Sequence, residues 1–472
     1  MTKCLRTVSI PAAAVLQFGA AVATPQVDRP TEAVAKPLPP SSPTPSAGPA
    51  RPLSDTAIDA RIRKEVLDKL ASELESRYVI EATAKKLADL VRAKQRSNAY
   101  KSITTAPALA RALTDDLLAV AHDKHLRVSF SFAPLPQNPA GPLSQEVLNQ
   151  IRKQNGAIPK VEILDGNVGY MRVNGVPPLD LTRSAVAAAF AFLQNTDALI
   201  IDNRGNGGGD PNTVALYVSY LSEGEPYLVN TFHWREGNRV VEFKTTNLGD
   251  RTYGAHKPVF VLTSPATFSG GEELSYDLQA LKRAVIVGEV TGGGANPGGP
   301  VPLGHQFVVN MPSGQPVNPI TGKNWEGIGV KPDIPVSSAA ALSRAHALAI
   351  ERLTVEASDP VSRSMLNAVA MKLESVEEAK SAGVTRLADA DILGTYVLEA
   401  GPGASVTILE KEGRLVQRVD GFPDVALIFL HGNSYKPEGF PDGFITSFRM
   451  KEGRAELLLE VPFGPPTIRA KQ

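Results

Sequence analysis

The chain has 472 residues, with 49 Lys and Arg balanced by 49 Asp and Glu. Zero formal net charge leaves no electrostatic footprint for nucleic acid or for an anionic membrane surface. Apolar and charged fractions of 43% and 21% fit a globular protein of several domains.

The first segment, residues 1–23, reads as a secretory signal. Lys3 and Arg6 precede an apolar stretch from Val8 to Ala20, and Ala21-Val22-Ala23 fits a small-x-small cleavage site. A secreted or periplasmic location follows from that reading. The only cysteine, Cys4, lies inside it. Cleavage after Ala23 would leave a chain without disulfides, which suits either redox compartment. No later stretch is apolar enough to span a membrane. Residues 24–52, rich in Pro, Ala and Ser, form a linker that cannot build a core.

Residues 53–132 read as a helical domain. Ile58, Ile62, Val66, Leu67 and Leu70 recur at helical spacing after Ser54 or Asp55 as N-cap. Further helices are expected over 80–94 and 106–121. The block ends in His122-Asp123-Lys124-His125-Leu126-Arg127-Val128.

Residues 133–338 have α/β texture from about residue 160. Strand-like runs at 168–173, 198–201, 259–262 and 285–287 alternate with helical runs at 183–193, 211–221 and 272–281. That alternation predicts a largely parallel sheet. Helices are expected over a connector, 339–386. Residues 387–472 read as a small antiparallel β domain of six short strands, a barrel or a sandwich.

Four glycine-rich segments carry chemistry. Thr267-Phe268-Ser269-Gly270-Gly271-Glu272 lies between a strand and a helix. Ser269 there is either a helix cap or a nucleophile whose hydroxyl sits beside backbone oxyanion donors. It does not lie in Gly-x-Ser-x-Gly, which excludes an α/β-hydrolase elbow. Asn203-Arg204-Gly205-Asn206-Gly207-Gly208 leaves another strand. It fits neither a P-loop nor a dinucleotide fingerprint, and is a tight turn or an oxyanion loop. Gly288-Glu289-Val290-Thr291-Gly292 and Glu326-Gly327-Ile328-Gly329-Val330-Lys331-Pro332-Asp333 complete the set. His122 and His125 stand three apart, but no third metal-ligand cluster accompanies them.

In this order the four segments resemble the serine peptidase superfamily of C-terminal processing peptidases, tricorn protease and interphotoreceptor retinoid-binding protein. The block ending in Asp123-Lys124-His125 resembles the N-terminal domain of the retinoid-binding-protein-like branch. The resemblance covers roughly residues 55–340 and leaves the C-terminal β domain outside. It implies a crotonase/Clp-protease-like α/β core. It also implies a serine-type endopeptidase acting on peptides or proteins, with no cofactor or metal. The processing peptidases pair serine with a lysine; that position here is Gly294. The tricorn-like version uses histidine and glutamate, which points to Ser269, His125 and Glu326, with Lys124 where that version has a serine. Glu289 is the second choice of acid. Gly270, with Gly207 or Gly208, is the expected oxyanion hole. Glu272 is expected to support the helix start. No PDZ segment separates the helical and catalytic blocks. The other reading the resemblance allows is a non-catalytic carrier of peptides or of apolar ligands such as a retinoid or fatty acid.

Overall fold

The computed structural model describes residues 57–132, 145–381, 387–397, 405–419, 424–438, 444–461 and 464–472. All of these fall within the unit Leu53–Gln472. The signal and linker expected over 1–52 lie outside the described residues. Among the described residues, no helix is long and apolar enough to cross a membrane.

Helices Ala60–Arg77, Glu81–Arg96 and Ala106–Ala121 form the N-terminal block. The first starts on Asp59, whose carboxylate accepts the N–H of Ile62. The third ends on His122 in the left-handed conformation, which turns the chain into residues 123–126. Strand Arg127–Phe130 follows and pairs antiparallel with Phe307–Pro312. Leu67, Leu70, Leu109 and Leu113 pack into one core with Leu303, Phe307, Val309 and Met311. The helical block is therefore anchored to the α/β block by a strand pair and by a shared apolar core. The N–H of Val79 to Pro312 O and Arg235 to Tyr78 O add hydrogen bonds across the same seam.

The central sheet has six strands. Four parallel ones, Val168–Arg172, Ala198–Asp202, Val259–Thr263 and Val285–Gly288, stand side by side, with Ile334–Pro335 parallel at one edge and Lys160–Leu164 antiparallel at the other. Ala198–Asp202 and Val259–Thr263 are buried along their whole length, as a sheet covered on both faces requires. One face packs on helices Leu179–Leu193, Pro211–Tyr220 and Gly270–Ala280, and the other on Ala341–Glu356 and Pro360–Ser381. The loops bearing Asn203–Gly208 and Ser269 leave the carboxyl ends of the two central strands, where open α/β sheets place their sites.

Two small antiparallel sheets were not foreseen. One joins Arg127–Phe130, Phe307–Pro312 and Gly298–Gly304; the other joins Gly314–Val317, Leu228–Trp234 and Arg239–Lys244. The C-terminal domain is a closed barrel of eight strands rather than six. Ser434–Pro437 and Gly464–Lys471 are the additions, and the latter closes the ring against Gly394–Val397. Tyr396, Ile408, Phe448 and Leu457 fill its core.

Candidate active site

Strand Val259–Thr263 ends in a turn that delivers Ser269 to the N-cap position of helix Gly270–Ala280. Ordinary N-cap residues are extended. Ser269 instead has φ 53° and ψ −124°. A non-glycine residue held there costs roughly 1–3 kcal/mol, so its surroundings must over-determine it. They do. Phe268 N–H donates to Asn206 O at 2.9 Å and Gly271 N–H to Phe268 O at 2.9 Å. Fully buried Asn203 donates to Gly271 O at 2.6 Å and to Ser275 Oγ at 2.8 Å, and Asn206 Nδ2 donates to Asn203 Oδ1 at 2.7 Å. The loop 203–208 and the Ser269 turn are thus one hydrogen-bonded unit. Gly208 seals it: at φ 101°, a Cβ there would lie 2.7 Å from Ser269 Cβ and 2.8 Å from Gly270 N.

Glu272 extends this unit to a third segment. Its buried carboxylate accepts Ser269 N–H at 2.9 Å, Thr291 Oγ1 at 2.5 Å, Gly293 N–H at 2.6 Å and Gly294 N–H at 2.8 Å. Burial raises its pKa against the lowering effect of these donors. Trp325, also buried, donates Nε1–H to Gly294 O at 2.9 Å. Glu272 supports the helix start, as expected, and also ties the Ser269 turn to the glycine loop.

The far side of that loop carries the histidine. Glu326 Oε2 accepts Ala295 N–H at 2.6 Å and Asn296 N–H at 2.9 Å. Asp123, His125 and Glu326 present ligand atoms all within 4.8 Å of one another. Asp123 is 1% exposed; it accepts His125 N–H at 2.9 Å, Tyr78 OH at 3.2 Å and Asn296 Nδ2 at 3.0 Å. His125 Nδ1 stands 3.9 Å from Asp123 Oδ1. Both His125 Nδ1 and Glu326 Oε1 are buried without a hydrogen-bond partner. Burial pushes the His125 pKa below its ordinary value; nearby Arg127 adds to that, and Asp123 opposes it. Burial first, and then the charge of Asp123, raise Glu326 to about 7.

The structure gathers Asp123, His125 and Glu326 on one side of the glycine loop and Ser269 on the other. Among the described residues, no hydrogen bond joins Ser269 Oγ to the His125 ring. The ring lies on Phe268, the neighbour of Ser269, with centroids 4.6 Å apart. A Cβ on Gly294 would lie 2.2 Å from Phe268 Cζ and 3.0 Å from His125 Cε1. Phe268 and His125 therefore occupy the space into which a lysine at 294 would project.

Other groups named from the sequence have different partners in this conformation. Glu289 is outside the cluster; it accepts Ser338 N–H at 2.8 Å, which lowers its pKa. Gly208 N–H is already taken by Asn206 Oδ1 at 2.9 Å, so it is not a free oxyanion donor in this conformation. Gly207 N–H reaches Asn174 O only at 3.4 Å, a weak bond. Among the described residues, Gly270 N–H has no acceptor. Lys124 does not enter the cluster: its Nζ donates to Gly292 O at 2.5 Å. The sequence reading gave Asp123 no role. Its signal was local, since an Asp two residues before His125 can accept that residue's N–H.

The site thus holds a strained serine beside two central strand ends, with a histidine–carboxylate cluster at the far end of the glycine loop. Comparison with known proteins points to a peptidase family. The model of peptidase family S41 matches residues 167–336, and that of the N-terminal domain of Peptidase_S41 in eukaryotic IRBP matches residues 59–157. Both matched stretches are thus similar to domains of one peptidase family, S41. A carboxy-terminal-processing protease of Bartonella bacilliformis is 30% identical over 202 residues, covering 41% of this chain and 44% of that protein. The chain thus spans less than half the length of this relative. The structure of the photosystem II D1 C-terminal processing protease is 18% identical, with TM-score 0.38, covering 60% of this chain and 94% of that one. Tricorn protease is 13% identical, with TM-score 0.38, covering 66% and 37%.

Proposed function

We propose that the protein is a serine endopeptidase in which Ser269 is the nucleophile and His125 the base. The observation that carries this reading is the double attachment of the loop 292–296. Gly293 and Gly294 bond to Glu272, which holds Ser269 N–H, while Ala295 and Asn296 bond to Glu326 beside His125. One short loop thereby sets the separation of nucleophile and base.

In this mechanism the His125 imidazole, kept neutral near pH 7 by burial, takes the Ser269 proton as Oγ attacks the peptide carbonyl. It then returns that proton to the leaving amine. A carboxylate on Nδ1–H would fix the ring tautomer and stabilise the imidazolium. Glu326 Oε1 is the unpartnered acceptor for that role, and Asp123 holds the backbone of His125 in place. Gly270 N–H supplies one oxyanion donor. The second is formed when Gly207 N–H or Gly208 N–H is released from its present acceptor. The unmade Ser269–His125 bond fits a site completed by substrate binding, as catalytic hydrogen bonds in empty sites are often long. The domain boundaries at 132/133, 338/339 and 386/387, and export by the signal at 1–23, belong to the same proposal.

The test is a fluorophosphonate probe. Covalent labelling of the wild type, and none of Ser269→Ala, is the expected result. A folded wild-type protein that takes up no label would overturn the assignment.

A further inference from the structure

A cleft of about 470 Å³ opens beside the His125–Phe268 pair. Pro265, Ala266 and Phe268 give it an apolar side. Lys124 and Arg127 line it as well, and among the described residues no carboxylate does. Lys124 is held at the rim by one bond, to Gly292 O, which leaves two of its three N–H donors free. Arg127 begins the strand Arg127–Phe130 and is exposed. Among the described residues it has no ion-pair partner. Asp123 and Glu326 do not compensate these cations at the cleft surface: Asp123 is buried behind the histidine, and Glu326 is bonded to the glycine loop. Two cations with free donors beside an apolar wall match one kind of side chain, a short aliphatic stem ending in a carboxylate.

The position of the cleft fixes what such a group would do. Phe268 precedes Ser269, and Gly292 precedes the residues that Glu272 ties to Ser269 N–H. A side chain lodged here belongs to a substrate residue close to the scissile bond. We propose that this cleft is a specificity subsite that selects peptides with Glu or Asp beside the cleaved bond. Lys124 and Arg127 are its selecting residues. The proposal rests on the serine–histidine reading only for the location of the bond; the charge preference is independent of it. A carboxylate placed near Arg127 also offsets the repulsion that Arg127 exerts on a protonated His125. An acidic residue would then assist the base as well as bind.

The experiment uses internally quenched peptides with amidated C-termini, so that a side chain is their only carboxylate. Pairs differ by Glu or Gln at each position flanking the bond. The wild type is expected to favour Glu at one position by about tenfold in kcat/KM, with the advantage shrinking as salt is raised. In Arg127→Glu the preference should vanish, and in the Lys124→Glu/Arg127→Glu double variant it should reverse toward Lys peptides. Fluorophosphonate labelling of Arg127→Glu reports that the nucleophile is intact, because Arg127 bonds neither the Ser269 turn nor the glycine loop. Binding of the same peptides to Ser269→Ala, followed by anisotropy, gives a readout that needs no turnover. Tighter binding of the Glu peptide there upholds the subsite even if the serine assignment fails. Equal handling of Glu and Gln peptides at every position, or a preference that survives Arg127→Glu, overturns it.

Discussion

The two sides of the glycine loop are built differently. On the serine side, Glu272 accepts four hydrogen bonds, and Asn203 and Asn206 lock the neighbouring turn. On the histidine side, Asp123 is fully engaged, yet His125 Nδ1 and Glu326 Oε1 remain unpaired. In the proposed mechanism the nucleophile is preorganised by strain and bonding, while the base is one bond short. Such a site separates positioning, which is paid for on folding, from activation, which waits for the substrate. The break that tests this most severely is His125→Ala. General bases contribute about 10²–10⁴-fold in rate, so kcat/KM should fall by that range while thermal stability holds. Lys331→Ala, on the exposed segment after Val330, should keep full activity. Comparable turnover by wild type and His125→Ala would assign the base elsewhere.

The serine side should fail in the opposite way. Glu272→Ala strips the acceptor from Ser269 N–H, Gly293 N–H, Gly294 N–H and Thr291 Oγ1 together. A buried donor left without a partner costs about 1–3 kcal/mol, and the lost charge-assisted bonds add to that. A drop of about 3–5 kcal/mol in unfolding free energy is expected by denaturant titration, together with loss of fluorophosphonate labelling. Unchanged stability would mean that Glu272 is not the tie between the turn and the loop.

The same contrast separates what could be read from the chain from what could not. The turn around Ser269, the loop at Asn203–Gly208 and the glycine loop were legible because glycine clusters between apolar strands are local signals. Helix Ala106–Ala121 was legible from leucine spacing and has the expected ends. The strands that escaped notice lack that texture. Gly464–Lys471 carries Pro465 and Pro466, and Gly298–Gly304 carries Pro300 and Pro302; these read as breakers, yet small antiparallel sheets and barrel ends tolerate them. Asp123 and Tyr78 were missed for another reason. Their contact joins residues 45 apart in sequence, and no local pattern announces it. The occupied N–H of Gly208 is of the same kind, because it depends on how Asn206 turns its side chain.

The smallest expected effect bears on the unfinished bond itself, through pH. Glu326 has its pKa raised from 4.5 to about 7, by burial first and by Asp123 second. A carboxyl raised in the folded state gives stability that is complete below the unfolded value and lost as pH rises through the folded one. The wild type should therefore lose stability between about pH 4.5 and pH 7 relative to Glu326→Gln, by about 3 kcal/mol. Activity should run the other way. Only ionised Glu326 accepts from Nδ1–H of His125 without offering a proton of its own. In the wild type, kcat/KM should climb through about pH 7 with the ionisation of Glu326. In Glu326→Gln the climb should move below the ordinary histidine value, because burial lowers the His125 pKa. Its plateau should also fall about tenfold, since the amide cannot stabilise the imidazolium as a carboxylate does. A pH–rate profile that is the same for both proteins would take Glu326 out of the mechanism and leave Asp123, whose Oδ1 lies 3.9 Å from Nδ1, as the only carboxylate of the cluster placed to do the work. Ionisation of Glu326 would then be a cost in stability with no return in rate. A profile that separates as described makes the same ionisation the step that completes the site.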